Sequence, residues 1–195
     1  MLVLASASPR RQELLRNAGI SFVVQPTDIP EIPREGESAK ACAERLAREK
    51  ALAVFRDRPE DLILGADTIV VVDGDMLGKP SNAEDAACML RRLSGRTHRV
   101  ITGVCLVGAL RTENRQLTTA LEETRSETTL VTMQPLTEHD IRSYVASGEP
   151  MDKAGAYGIQ GVASRWISRI EGDYFNVVGL PVALVCQMLR ERGML

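Results

Sequence analysis

Three features of the chain predict an α/β fold. Residues 2–5 form an apolar run too short for a helix, and it leads directly into a helix-start pattern. Residues 62–72 are the most hydrophobic stretch and carry the β-branched content of buried central strand. Between and around such runs, apolar residues recur at helical spacing, as at Cys42, Ala43, Leu46, Ala47 and Val54. The chain has 195 residues, 44% of them hydrophobic, enough for one well-cored domain over residues 1–195. No repeat and no linker-like composition divides it.

Taken in order, strand 2–5 ends at Ser6, and Ser8 is placed to cap a helix that has Pro9 at its first position. Leu14, Leu15 and Ala18 give this helix an apolar face, and Gly19 stops it. Ser6, Ser8, Arg10 and Arg11 therefore cluster at a helix N-terminus. Backbone N–H groups, the helix dipole and guanidinium forks all attract phosphate at such a place. An ordinary strand-turn-helix with surface arginines is the alternative.

A strand follows at 22–25, then a loop at 26–37 rich in proline and acid, with Asp28, Glu31, Glu35 and Glu37, most of which read as solvated charges. Ser38 caps a helix over 39–55. Lys50 falls on its apolar stripe and either snorkels past its neighbours or points its charge into a cleft. In 62–72, read as one long strand or two consecutive ones, Asp67 is a carboxylate in apolar surroundings. It must be paired, hydrogen-bonded, metal-bound or open to a cleft, and Gly65 beside it permits a bulge or a close backbone approach. Asp73-Gly74 is a tight hairpin turn, and Lys79 precedes the stiffening Pro80. Ser81 and Glu84 have capping-box spacing for a helix ending near Leu93.

Strand 99–107 is rich in β-branched residues. Residues 111–127 are polar and irregular and read as a hairpin tip or loop before a strand at 128–133. A capped helix spans 137–147 and ends at Gly148. Residues 149–161 hold glycines at intervals of three, which suits a backbone passing close to something. A strand at 166–170 and a final helix opened by Gly179-Leu-Pro181 complete the chain.

Composition narrows the function. Lys and Arg number 24 against 26 Asp and Glu, a net charge of −2, with seven aromatics. That gives no broad basic field or stacking surface for nucleic acid, and no attraction to a membrane surface. No apolar run approaches a membrane span and no signal-type N-terminus is present, so a cytoplasmic protein is expected. Cys42, Cys88, Cys105 and Cys186 lack metal spacing and read as buried free thiols, and His98 and His139 lie in no zinc motif. Neither a dinucleotide fingerprint nor a Walker A sequence occurs.

The polar residues lodged in apolar or turn positions are Ser6, Ser8, Arg11, Lys50, Asp67, Lys79 and Gln160. Cations and hydroxyls fit a polyphosphate, and a carboxylate with a divalent ion, Mg²⁺ or Mn²⁺, fits its hydrolysis. The sequence also resembles the Maf family of nucleoside triphosphate pyrophosphatases. The matching pieces are Leu4-Ala-Ser-Ala-Ser-Pro-Arg-Arg11, Leu46-Ala-Arg-Glu-Lys50, Gly65-Ala-Asp-Thr68, Gly78-Lys-Pro80, Asp152-Lys-Ala-Gly-Ala-Tyr-Gly-Ile-Gln-Gly161 and Val178-Gly-Leu-Pro181.

This resemblance implies a long twisted mixed sheet flanked by helices, with two lobes and a central cleft, related to the inosine triphosphatase fold. It implies cleavage of a nucleoside triphosphate between its α and β phosphates, with Asp67 as catalytic base and Ser8, Arg11, Lys50 and Lys79 on the phosphates. Glu31 becomes an acidic metal or water ligand, although a proline precedes it here, in Asp28-Ile-Pro-Glu31. Arg10, Thr68 and Gln160 match the branch that prefers dTTP and UTP, where a 7-methyl-GTP branch has tryptophan, glutamine and glutamate. A homodimer is also implied. A nucleotide-binding regulator of cell division with little or no turnover is the alternative function.

Overall fold

The computed structural model describes residues 1–111 and 117–195, with side chains described outside 110–120. Its strands are β1 (Leu2–Leu4), β2 (Val23–Val24), β3 (Leu62–Val72), β4 (Asp75–Leu77), β5 (Thr97–Arg111), β6 (Leu117–Met133) and β7 (Ile167–Glu171). Its helices are α1 (Pro9–Asn17), α2 (Ala39–Asp57), α3 (Ala83–Leu93), α4 (Glu138–Ala146), α5 (Tyr174–Val178) and α6 (Val182–Arg190), with three short 3₁₀ turns between α4 and β7. The strands form one seven-stranded sheet in the order β2-β1-β3-β5-β6-β7, and β4 pairs with β3. The sheet is mixed. β1 runs parallel to both β2 and β3, whereas β4 lies antiparallel to β3 and β7 antiparallel to β6. The α/β class is as expected.

The chain forms two compact units. The first comprises Met1–Asp67, Thr102–Glu127 and Gly179–Leu195, and the second Thr68–Ile101 and Thr128–Val178. In the first, α2 packs its stripe on β1, β3 and β5, with Val3, Ala47, Ala51, Val54, Ile63 and Val107 buried together. The small residues on that stripe allow close approach. A Cβ on Gly65 would lie 2.9 Å from the Ala51 backbone nitrogen and nearer still to the Ala47 carbonyl, and one on Gly103 would lie 2.7 Å from the Glu44 nitrogen. Helix α2 thus rests on bare backbone of β3 and β5. At Gly65 the structure shows a close backbone approach.

The second unit has its own core, where Ala86, Leu90 and Leu93 of α3 meet Val70, Val131, Tyr144 and Trp166. Gly155, Gly158 and Gly161 pass close to parts of the chain itself. Added Cβ atoms would strike Val70, the Lys153 stem and the Glu149 carboxylate respectively.

Residues 62–72 are one strand, the first of the two readings offered for them. Several other expectations are corrected. Residues 117–127, read within 111–127 as a hairpin tip or loop, are the first part of β6, while 112–116 lie outside the described residues. The side chains of Glu122, Glu123, Arg125 and Ser126 find partners. Glu122 bonds Arg48 of α2, Arg125 bonds Glu191, Arg192 bonds Glu123, and the Ser126 hydroxyl donates to Glu44 at 2.6 Å. The cap of α3 is Asn82, one residue beyond Ser81, and the Asp85 carboxylate accepts from the Ser81 N–H at 2.8 Å. Cys88 is exposed and Cys186 half-buried, so only Cys42 and Cys105 are buried thiols. Cys88 lies two residues from both Ala86 and Leu90, on the opposite side of α3 from its apolar stripe.

Candidate active site

The site is built where β1 ends beside β3. The Ala5 N–H donates to the Leu64 carbonyl at 2.9 Å, and past it the chain turns into α1. Ser8 caps α1, its hydroxyl accepting from the Arg11 N–H at 3.4 Å, and Pro9 occupies the first turn. The Ser6 hydroxyl accepts from the Ser8 N–H at 3.3 Å and from the Arg11 guanidinium at 3.1 Å. A second Arg11 nitrogen donates to the Gly179 carbonyl at 2.8 Å, so the guanidinium is fixed between the β1 turn and the segment leading to α6. Arg10 is the next residue of the same first turn and is half-buried.

The acidic half comes from β3, α2 and the loop before α2. Gly65 and Asp67 point to the same face of β3, the face that α2 covers. Because α2 lies directly on Gly65, Lys50 is delivered to Asp67. Its ammonium donates to Asp67 at 2.6 Å and to Glu31 at 2.5 Å. Lys50 is 6% exposed and Asp67 5%, while the Glu31 side chain is 38% exposed. Lys50 therefore carries its charge inward, and the snorkelling alternative is excluded. The glutamate is also not a solvated loop charge, despite the proline before it.

Burial pushes the Asp67 carboxyl above its ordinary range. The Lys50 and Arg11 cations oppose that shift and the Glu31 charge adds to it. Burial likewise lowers Arg11, against the pull of Asp67 and Glu31. Two cations and two carboxylates thus act on one another, with Lys50 and Asp67 in a dry place, where charge interactions are strong.

Ser6, Ser8, Arg11, Lys50, Glu31 and Asp67 are brought together within the first unit. Thr68 begins the second unit on β3 and is half-buried, and Lys79 and Gln160 are exposed residues of that unit. Among the described residues no group of three or more His, Cys, Asp or Glu is placed to hold a metal.

Glu37, expected as a solvated loop charge, proves to be tied down. Its side chain is 11% exposed, and the Arg45 guanidinium holds its carboxyl down to about 2. The i,i+4 spacing of Arg45 and Glu49 on α2 was readable as an ion pair. Nothing in the sequence distinguishes Glu37 from the other acids of its loop.

A family model described as Maf-like protein matches residues 1–192. The chain belongs to the Maf family. Over 194 residues it is 54% identical to the dTTP/UTP pyrophosphatase of Koribacter versatilis, a match covering 100% of this chain and 95% of that protein. It is 50% identical over 190 residues to the dTTP/UTP pyrophosphatase of Syntrophomonas wolfei, covering 97% of this chain and 96% of the relative. A solved HAM1 protein from Coxiella burnetii is similar over 97% of this chain and 98% of its own, with 17% identity and a TM-score of 0.49. In this Maf chain the motifs at Ser6–Arg11, Lys50 and Asp67, far apart in sequence, meet in one cluster.

Proposed function

We propose that the chain is a nucleoside triphosphate pyrophosphatase that converts dTTP and UTP to the nucleoside monophosphate and pyrophosphate. The names of its full-length relatives support this reading. The observation that carries it is Asp67, a buried carboxylate with a raised pKa, beside Lys50 and within reach of the Arg11 field. A carboxyl raised above its ordinary range is a stronger proton acceptor, which suits a general base. Asp67 takes the proton of the attacking water. Arg11 and Lys50 counter the charge of the phosphates, and the hydroxyls and helix N-terminus at Ser6 and Ser8 add hydrogen bonds. Lys79 enters on its residue type and its place in Gly78-Lys-Pro80 alone.

A divalent cation, Mg²⁺ or Mn²⁺, fits the residues present. Glu31 and Asp67 already converge on one cation, the Lys50 ammonium, and both offer the hard oxygen donors such ions take. Magnesium is commonly held by one or two carboxylates with substrate phosphates completing its shell, which accords with a site lacking a full protein cage. When bound, the ion neutralises phosphate charge and polarises the reacting group.

Arg10, Thr68 and Gln160 set the base preference in this proposal. A pyrimidine offers carbonyl acceptors and one N–H, which a glutamine amide can pair on both counts and an arginine on one. Methylated guanine is a flat cation that suits an aromatic and a carboxylate. The triple change Arg10→Trp, Thr68→Gln and Gln160→Glu is expected to move kcat/KM toward 7-methyl-GTP. We place the enzyme in the cytoplasm on its sequence pattern and read it as a homodimer on the strength of the family resemblance, and sedimentation at assay concentration checks the dimer.

The deciding experiment is product analysis over a nucleotide panel. Equal amounts of pyrophosphate and monophosphate from dTTP and UTP are expected. Stepwise orthophosphate with a diphosphate intermediate would reject α–β cleavage, and tight binding without turnover would favour the regulator of cell division.

A further inference from the structure

We propose that Arg45 is a positioning residue for this hydrolysis, clamping the loop before α2 so that Glu31 meets Lys50 and Asp67. The inference rests on the reading of Glu31 as a working carboxylate. Residues 25–38 contain no helix or strand, and Pro26, Pro30 and Pro33 remove three backbone donors, so this loop has few ways to hold itself. Side chains of α2 hold it instead. The Arg45 guanidinium bonds both Glu37 carboxylate oxygens at 2.7 Å, a two-pronged pairing that fixes direction as well as distance. The same guanidinium donates to the Ile32 carbonyl at 3.1 Å and to Glu49 at 3.1 Å.

Ile32 follows Glu31 directly, so the clamp acts one residue from the carboxylate it positions. Arg34 closes the loop on itself and on α2. Its N–H donates to Glu37 at 3.1 Å, its carbonyl accepts from the Glu37 N–H at 3.1 Å, and its guanidinium bonds Glu49 at 3.0 Å. Arg45 and Lys50 are five residues apart on one rigid helix, about 7.5 Å along its axis. The loop therefore takes its position from the same element that delivers Lys50. The Arg45 side chain is 14% exposed, and a lysine there has no planar fork with which to hold Glu37 and Ile32 together.

The test is a double-mutant cycle on the full chain, read as kcat/KM for dTTP. Arg45→Met is expected to lower it about 10–100-fold, the scale of losses when a supporting partner of a ligand is removed. In a Glu31→Gln background the same change is expected to cost under about twofold, because the group it positions is already gone. Equal losses in both backgrounds would overturn the proposal and leave Arg45 a structural residue. Wild-type turnover by Glu31→Gln alone would instead reject the reading of Glu31.

Hydrogen exchange supplies a readout apart from activity. In Arg45→Met the Arg34 and Glu37 amides are expected to exchange faster while α2 keeps its protection. Loss of protection along all of α2 would also overturn the proposal. Arg45→Lys keeps the charge, and Glu37→Gln keeps the Arg45 bond to Ile32. Both are milder changes, expected to show the same dependence on Glu31, and its absence in both counts against the clamp.

Discussion

The contact between α2 and β3 at Gly65 makes a test of how the active site is set. Replacing Gly65 by alanine puts a methyl group 2.9 Å from the Ala51 nitrogen, 3.0 Å from the Ala51 Cβ and closer still to the Ala47 carbonyl. All three are on the helix, two of them backbone atoms, so no flexible side chain can swing away. To restore ordinary contact α2 must back off by roughly 1 Å, and overpacking of this kind costs about 1–3 kcal/mol. For a chain of this size that lowers Tm by roughly 2–12 °C. The kinetic effect exceeds the stability effect, because the helix carries Lys50 away from Asp67 and a misplacement near 1 Å can cost about 10²-fold in rate. The assay is pyrophosphate release from dTTP at a temperature where thermal unfolding shows the variant fully folded. Gly103→Ala is the control. It strikes α2 at Ala43 and Glu44, about two turns before Lys50, and should lower Tm with a smaller loss of rate. A Gly65→Ala enzyme with lowered Tm and unchanged kcat would refute the reasoning.

Asp67→Asn keeps the size and removes proton acceptance, so hydrolysis is expected to fall by about 10²-fold or more with nucleotide binding retained. Near-normal turnover would make Asp67 structural. Lys50→Met leaves Asp67 and Glu31 without their shared cation, which drives the Asp67 carboxyl further up and should abolish turnover at neutral pH; intact hydrolysis would contradict the assigned geometry. Chelation with EDTA is expected to stop the reaction, and Mg²⁺ or Mn²⁺ to restore it; activity persisting in EDTA would reject the cation. His98, 2% exposed, donates or accepts at Tyr157 across 2.7 Å, and burial lowers its pKa from 6.5 to about 4. The unfolded chain binds the proton first as pH falls, so His98 contributes stability that is present above pH 6.5 and lost progressively down to about 4, roughly 3 kcal/mol in all. Denaturant unfolding of His98→Gln should show a flatter acid limb over that window, and a wild-type slope would assign the acid sensitivity elsewhere.

Elements governed by local rules were legible in the sequence. Ser8 and Ser38 cap α1 and α2, Thr137 and Asp140 form a complete capping box on α4, and Asp73-Gly74 turns with both residues at positive φ. The α3 cap was misplaced by one residue, on Ser81 rather than Asn82, while the larger misses depend on partners far along the chain. The polar start of β6 looks like loop until Glu122 finds Arg48 and Glu123 finds Arg192. Helix α5 has five residues and no stripe. Its Asn176 is buried because its amide donates to Val100 and Thr129, both at 3.0 Å, from 76 and 47 residues away.

The same division runs through the active site and shows what its sequence encodes. A lysine inside an apolar stripe and an aspartate inside an apolar strand each announce an unpaid desolvation, and either could have been solved separately by snorkelling or by a local hydrogen bond. The third member is the residue that looks least chemical. Gly65, two residues before Asp67, removes the side chain that would hold α2 off β3. Ala47 and Ala51 keep the facing surface of the helix equally thin. With the two backbones in contact, Lys50 and Asp67 answer each other, and the strand position that would otherwise disfavour a charge gains its counterion. Glu31 was harder to recognise, since among the acids of a proline-rich loop nothing local marks the one that reaches the ammonium. Its identity depends on where Arg45 and Glu37 pin the loop. The proposed catalytic carboxylate is thus marked by the burial pattern of the sequence, and its acidic neighbour by the family resemblance and by tertiary hydrogen bonds.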